Sequence, residues 1–165
     1  MRTQLSELNS LPTSEFVRRL GGIFEHSPWV AEKAAEARPY PSREALHTAM
    51  VQIVHLAGEK AHLQLLNAHP DLVGRAVLTA ESASEQAAAG LSDLSKEETE
   101  KFRSFNHAYR QRFGFPFIIC ARQNKKEAIL EAFPRRLIQD RQTEIATALE
   151  EIAKIARLRL EDTVL

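Results

Sequence analysis

The sequence predicts an all-α protein, a compact single-domain bundle of about eight helices with one extended apolar segment. Two observations carry that expectation. Apolar residues recur at three- and four-residue spacing through most of the chain, as in Leu46, Met50, Ile53, Val54 and Ala57. Serines and threonines that can cap helices, and glycines and prolines that stop them, bound those runs. Against this background a single continuous apolar run, Phe115-Pro116-Phe117-Ile118-Ile119-Cys120-Ala121, has the length and β-branched pair of a buried extended segment, and no partner strand is legible for it.

In order along the chain, Thr13 or Ser14 is expected to cap a helix through Glu15, Phe16, Val17, Leu20 and Ile23, weakened near its end by Gly21-Gly22. Ser27-Pro28-Trp29 reads as cap, first-turn proline and apolar anchor of a helix to Ala37, which Arg38-Pro39-Tyr40-Pro41 must stop. Ser42 caps the next run, which lasts until Gly58, and Leu63, Leu65 and Leu66 continue the pattern to His69-Pro70. Because a residue before proline is pushed out of the helical region, His69 belongs at a helix exit, where its side chain faces open space. A short helix over Ser84–Ala89 ends at Gly90, and a longer one starts at Ser95 and ends at Gly114. From Asn124 onward the period is helical again, with one helix ending near Phe133-Pro134 and a long one from about Asp140 to Leu160.

The 165-residue length suits one hydrophobic core and one domain, residues 1–165. Hydrophobic content of 44%, charged content of 27% and a mean hydropathy of -0.31 argue against disorder. With 22 basic and 22 acidic residues the formal net charge is zero, so no general field draws the chain to nucleic acid or to an anionic membrane. Cys120 is the one cysteine, excluding an internal disulfide, and its apolar surroundings make burial the expected outcome. The first residues lack the continuous apolar segment of a secretory signal, no apolar stretch is long enough to span a bilayer, and Glu161-Asp162-Thr163-Val164-Leu165 is not a serine-lysine-leucine address. A soluble cytoplasmic protein is the expectation.

His55, His62 and His69 recur every seven residues. Seven residues rise roughly 10.5 Å along a helix, too far for three ligands of one ion, so no metal site is expected and His55 and His62 read as ordinary polar or partly buried histidines. His69 differs because Pro70 fixes its backbone and Asp71 offers a nearby carboxylate, a setting in which an imidazole can exchange protons near neutral pH. Asp71 reads equally well as a cap for a turn at Leu72. Ser82, Glu85 and Gln86 form a second polar group beside alanines that let a ligand approach the backbone; Ser82 and Glu85 also stand in capping-box order. Phe117 to Ala121 carries amides and carbonyls in search of partners, which a planar amide-rich ligand could supply. Arg157 and Arg159, two apart on one helix, face different directions, so only one can turn inward as a carboxylate clamp.

Together and in this order these motifs resemble the 2-oxo-4-hydroxy-4-carboxy-5-ureidoimidazoline (OHCU) decarboxylase family of urate degradation. The resemblance runs through Ser27-Pro28-Trp29-Val30-Ala31-Glu32, Ala68-His69-Pro70-Asp71-Leu72, Glu81-Ser82 with Glu85-Gln86, and Ala89-Gly90-Leu91. It continues in Asn106, Tyr109, Phe113 to Ala121, Lys154-Ile155-Ala156 and Leu158-Arg159-Leu160. It implies a compact helical fold, a homodimer, and decarboxylation to (S)-allantoin and CO2 without metal or organic cofactor. It implies His69 and Glu85 as catalytic residues. Pro70, Ser82, Glu85, Gln86, Phe117, Ile118, Ile119, Cys120, Ala121 and Arg159 are implied as substrate contacts. The competing classes are a helical interaction module using the amphipathic run Glu144–Leu160, and a hydrolase of a related ureido compound. Binding of allantoin at a pocket containing His69 separates the enzyme from the module, and release of CO2 separates it from the hydrolase.

Overall fold

The computed structural model describes residues 1–165 as nine α-helices and one 3-10 turn, with no sheet and a single isolated parallel bridge between Thr3 and Val164. The helices are α1 (Leu5–Ser10), α2 (Thr13–Leu20), α3 (Trp29–Glu36), α4 (Arg43–Leu56), α5 (Glu59–Asn67), α6 (Ala80–Ala88), α7 (Lys96–Phe113), α8 (Lys126–Leu137) and α9 (Arg141–Thr163). The 3-10 turn is Ala121–Gln123. Contacts divide the chain into two compact units, Met1–Ala68 with Ala153–Leu165, and His69–Ile152.

In the first unit α2 packs on α3, α3 on α4 and α4 on α5. Leu8, Phe16, Leu20, Val30, Ala34, Leu46 and Met50 are fully buried there or nearly so. The chain ends are tied together: Thr3 N donates to Thr163 O at 2.8 Å and Leu165 N donates to Thr3 O at 2.9 Å. The second unit is built on aromatic rings. Phe117 stacks on Phe133 at 3.8 Å between centroids, Phe105 stacks on Phe133 at 5.1 Å, and the Tyr109 ring meets Phe117 edge-on at 5.3 Å. Such pairs add to the apolar burial that holds the unit together.

Most helix ends fall where the sequence places them, because capping is local. Ser42 Oγ accepts from Ala45 N at 3.0 Å to start α4, and Gly58 adopts φ 90° between α4 and α5. Ser95 and Glu98 form a reciprocal capping box on α7, which Gly114 ends in the left-handed region. Several ends differ. α2 begins at Thr13 itself, after Pro12, with no side-chain cap, and Ser27 Oγ donates to Glu25 O rather than capping α3. α6 starts at Ala80, four residues before the expected Ser84, because Thr79 is the residue whose hydroxyl accepts from Ser82 N. α8 continues through Pro134 to Leu137, and α9 runs on to Thr163.

The Phe115–Cys120 run is neither helix nor ladder, as expected, but Ala121 departs from it into the 3-10 turn.

Candidate functional site

α5 ends at Asn67, and His69, which Pro70 biases away from the helical region, lies two residues beyond its end. His69 is buried, 8% exposed, within a set of interactions of its own. The segment after it is irregular until Thr79 and holds Val73 at φ 56°, a left-handed conformation disfavoured for a β-branched residue. Three side chains pin this segment. Gln86 Oε1 accepts from Val73 N at 3.3 Å, Asn106 Nδ2 donates to Leu72 O at 2.7 Å, and Arg110 Nε donates to Asp71 Oδ1 at 2.9 Å. Asp71 therefore pairs with α7 instead of capping a helical turn.

Ser82 and Gln86 are one turn apart on α6 and both buried, while Glu85, beside them, is half-buried. Ser82 lies inside the helix, so it is not the cap of a Ser82–Glu85 box; Thr79 caps α6 instead. α6 packs against the 3-10 turn. Its end is tied to the start of α8, with Lys126 N donating to Ala89 O at 3.0 Å and Lys125 Nζ to Ala88 O at 2.7 Å. The Cys120 thiol is buried and pushed up from its usual pKa, first by burial and further by the Glu151 and Glu85 carboxylates. A thiol so disposed is a poor nucleophile.

The Phe117–Ala121 backbone finds side chains where a strand partner is lacking. Arg136 Nη1 donates to Ile118 O at 2.5 Å, Cys120 N donates to Glu151 Oε1 at 3.2 Å, and Cys120 O accepts from Asn124 Nδ2 at 3.0 Å. Arg136 is in turn held by Glu144, with Nε to Oε1 at 2.5 Å, and the Tyr109 hydroxyl donates to the same oxygen at 2.5 Å. Sequence reasoning missed Arg136, Glu144 and Glu151 as partners of this segment. The available signal was two glutamates seven residues apart on the apolar face of a helix that also carries Ile145, Ala148 and Ile152.

The structure thus brings His69, Pro70, Ser82, Glu85, Gln86 and Phe117 to Ala121 into one unit, where α6 is bonded to the segment that follows His69 and packed against the turn that follows Cys120. Arg159 belongs to the other unit. It is 4% exposed, donating from Nη1 to Gly22 O at 3.0 Å and from Nη2 to Glu25 Oε2 at 2.8 Å. Arg157, with its side chain 62% exposed beside Glu161, takes the outward direction expected of one of the pair.

Comparison with known proteins gives a consistent result. The family model described as OHCU decarboxylase matches residues 9–161. A 2-oxo-4-hydroxy-4-carboxy-5-ureidoimidazoline decarboxylase from Haloferax volcanii is 44% identical over 158 residues, covering 96% of this chain and 94% of its own length. A crystal structure of (S)-allantoin synthase superposes with a TM-score of 0.82 at 34% identity, covering 99% of this chain and 54% of that one, so the chain spans about half of that protein. A crystal structure of OHCU decarboxylase in the presence of (S)-allantoin superposes with a TM-score of 0.69 at 27% identity, covering 90% of this chain and 95% of that one.

Proposed function

The chain belongs to the OHCU decarboxylase family, and on that premise we propose that it decarboxylates OHCU to (S)-allantoin and CO2 in urate degradation, with no metal or organic cofactor. The observation that supports the site assignment is the packing of α6, whose Gln86 is bonded to the segment after His69 and which lies against the 3-10 turn after Cys120. α6 is thereby joined to the segment that follows the predicted acid-base residue and to the turn that follows the predicted ring-holding backbone, which supports the reading.

Breaking the bond between C4 and the leaving carboxylate pushes its electron pair into the adjacent C5=N bond of the imidazoline as CO2 departs, leaving an enol whose C4 hydroxyl becomes the product carbonyl. A proton must then reach one face of C5, the ureido-bearing carbon that becomes the stereocentre of allantoin. In this reading His69 engages the 4-hydroxyl and carboxylate region and takes part in proton transfer, while Glu85 orients His69 or the ureido N-H groups. Pro70 and Ser82 line the approach, and Gln86 pairs with amide edges through the end of its amide not used by Val73 N. Backbone groups from Phe117 to Ala121 hold the flat ring. Arg159 as a ligand of anionic or carbonyl oxygen rests on the family resemblance alone. Arg159→Lys should raise KM if that assignment is right and leave KM and kcat unchanged if Arg159 serves only its pair with Glu25.

His69→Ala is the direct test. Uncatalysed loss of CO2 gives both allantoin enantiomers, so the variant should lose the circular dichroism signal that wild type develops after fresh urate oxidation and hydroxyisourate hydrolysis. A wild-type signal from His69→Ala would sink the assignment. Turnover unchanged by a metal chelator is expected of a cofactor-free reaction. A cytoplasmic homodimer is the proposed working form, supported by the family resemblance; sedimentation equilibrium reading a monomer would remove it. No helix is long and apolar enough to cross a membrane.

A further inference from the structure

Buried contacts reach the Phe117–Ala121 segment from α8 and α9. Residues two apart along an extended chain present their polar groups to the same side, and Cys120 is extended, with φ -71° and ψ 94°. Ile118 O is bonded by Arg136 and Cys120 N by Glu151, so both residues of that parity are bonded by charged side chains of α8 and α9. In an extended chain the intervening residue, here Ile119, turns its amide and carbonyl to the opposite side.

The guanidinium at Ile118 is bonded by Glu144 and covered by the Phe117 ring, while its Nη2 is buried without a hydrogen-bond partner. Glu144, fully buried, takes Arg136 Nε on Oε1 and faces Nη2 at the same 2.5 Å. Tyr109 donates to that carboxylate, and its phenol is pushed well above its ordinary pKa by burial and then by this bond, so it stays a donor throughout the working pH range. The Arg136 plane lies 4.2 Å from the Phe117 ring centroid. Two well-packed apolar side chains could fill the same space without loss of stability, since buried ion pairs repay little beyond their desolvation. They could not fix a carbonyl. A planar fork bonded on one edge to Glu144 and on another to Ile118 O transmits the position of the buried carboxylate to the backbone.

We propose that Arg136, clamped by Glu144 and Tyr109, is a positioning residue for the decarboxylation: it sets the Ile118 carbonyl so that the Ile119 amide and carbonyl are presented to the substrate ring. This rests on the reading in which the Phe117–Ala121 backbone holds that ring. Arg136 touches no reacting atom, so its loss acts on ring binding and facial selectivity.

The test uses the full chain and two variants. Arg136→Met combined with Glu144→Gln removes both charges, keeps an acceptor for Tyr109, and avoids a stranded buried carboxylate. Arg136→Lys keeps a charge against Glu144 but lacks the fork. In each variant that retains the helical circular dichroism of wild type, (S)-allantoin binding measured by calorimetry should weaken about tenfold, the effect of misplacing one hydrogen bond between Ile119 and the ring. KM for OHCU should rise in parallel, with a smaller change in kcat and a lower enantiomeric excess. Wild-type affinity and KM in either folded variant would overturn the proposal, and the lysine variant keeps the test open if the double variant fails to fold. Wild-type protein that neither binds (S)-allantoin nor releases CO2 from OHCU would instead overturn the functional reading beneath it.

Discussion

Asn106 shares a face of α7 with Phe102, Tyr109 and Phe113, yet its amide donates to Leu72 O while its Oδ1 is buried without a protein partner. A polar residue in an aromatic stripe is costly unless it is bonded, so this one is explained by the irregular segment it holds. Asn106→Leu should leave the Leu72 carbonyl without its donor and lower stability by about 1 to 3 kcal/mol in urea unfolding. The nearby Arg110–Asp71 pair is partly open to solvent, with side chains 43% and 30% exposed. Arg110→Ala should therefore change stability by no more than about 1 kcal/mol in the same measurement. The sequence offers Asn106 and Asp71 as members of motifs. Their partners lie 34 and 39 residues away, beyond anything local periodicity reports.

At the scale of the element, α7 shows why helix ends are the most legible feature. Its start depends on Ser95 and Glu98, its stop on Gly114 at φ 82°, and each is a matter of neighbouring residues. Ser95→Ala should cost about 1 kcal/mol by loss of the cap, and Gly114→Ala about 1 kcal/mol or more because a side chain resists the left-handed region. The Ser95 amide and then Lys126 hold the Glu98 carboxyl below its usual value. The stability it contributes is therefore complete above the ordinary carboxylate range and disappears as pH falls through the lowered folded value. Glu98→Gln should flatten that acid dependence in thermal unfolding followed at a series of pH values, and an unchanged acid limb would refute the attribution. Two ends resisted reading for physical reasons. Thr79 lies outside the apolar period that marked the α6 segment, and Pro134 sits in the last turn of α8, where α8 continues to Leu137 and Arg136 binds Glu144 and Ile118 O.

At the scale of the whole molecule, one helix belongs to both compact units. α9 runs without a break from Arg141 to Thr163, and the division falls inside it, between Ile152 and Ala153. Because a helix is cooperative along its length, we propose that residues 1–165 unfold as one domain. Urea transitions followed by far-ultraviolet circular dichroism and by the fluorescence of Trp29 should then coincide, and two separated midpoints would refute it.

The helical class, nearly every helix and the family were determined by the sequence itself, because period, caps and stops act between neighbouring residues and motif order survives without coordinates. His69 shows both sides: it lies beyond the end of α5 as its place before Pro70 predicts, yet it is buried at 8% exposure where the sequence placed it in open space. Only the tertiary structure decided which polar groups are joined. It gave Thr79 the cap that Ser82 could have been, bonded Arg159 to Glu25 across 134 residues, and set Arg136 with Glu144 beneath the one segment that has no strand to pair with. Those outcomes follow from an obligation the sequence can state but not resolve: buried backbone and charge must find partners, and which partners are within reach is a property of packing.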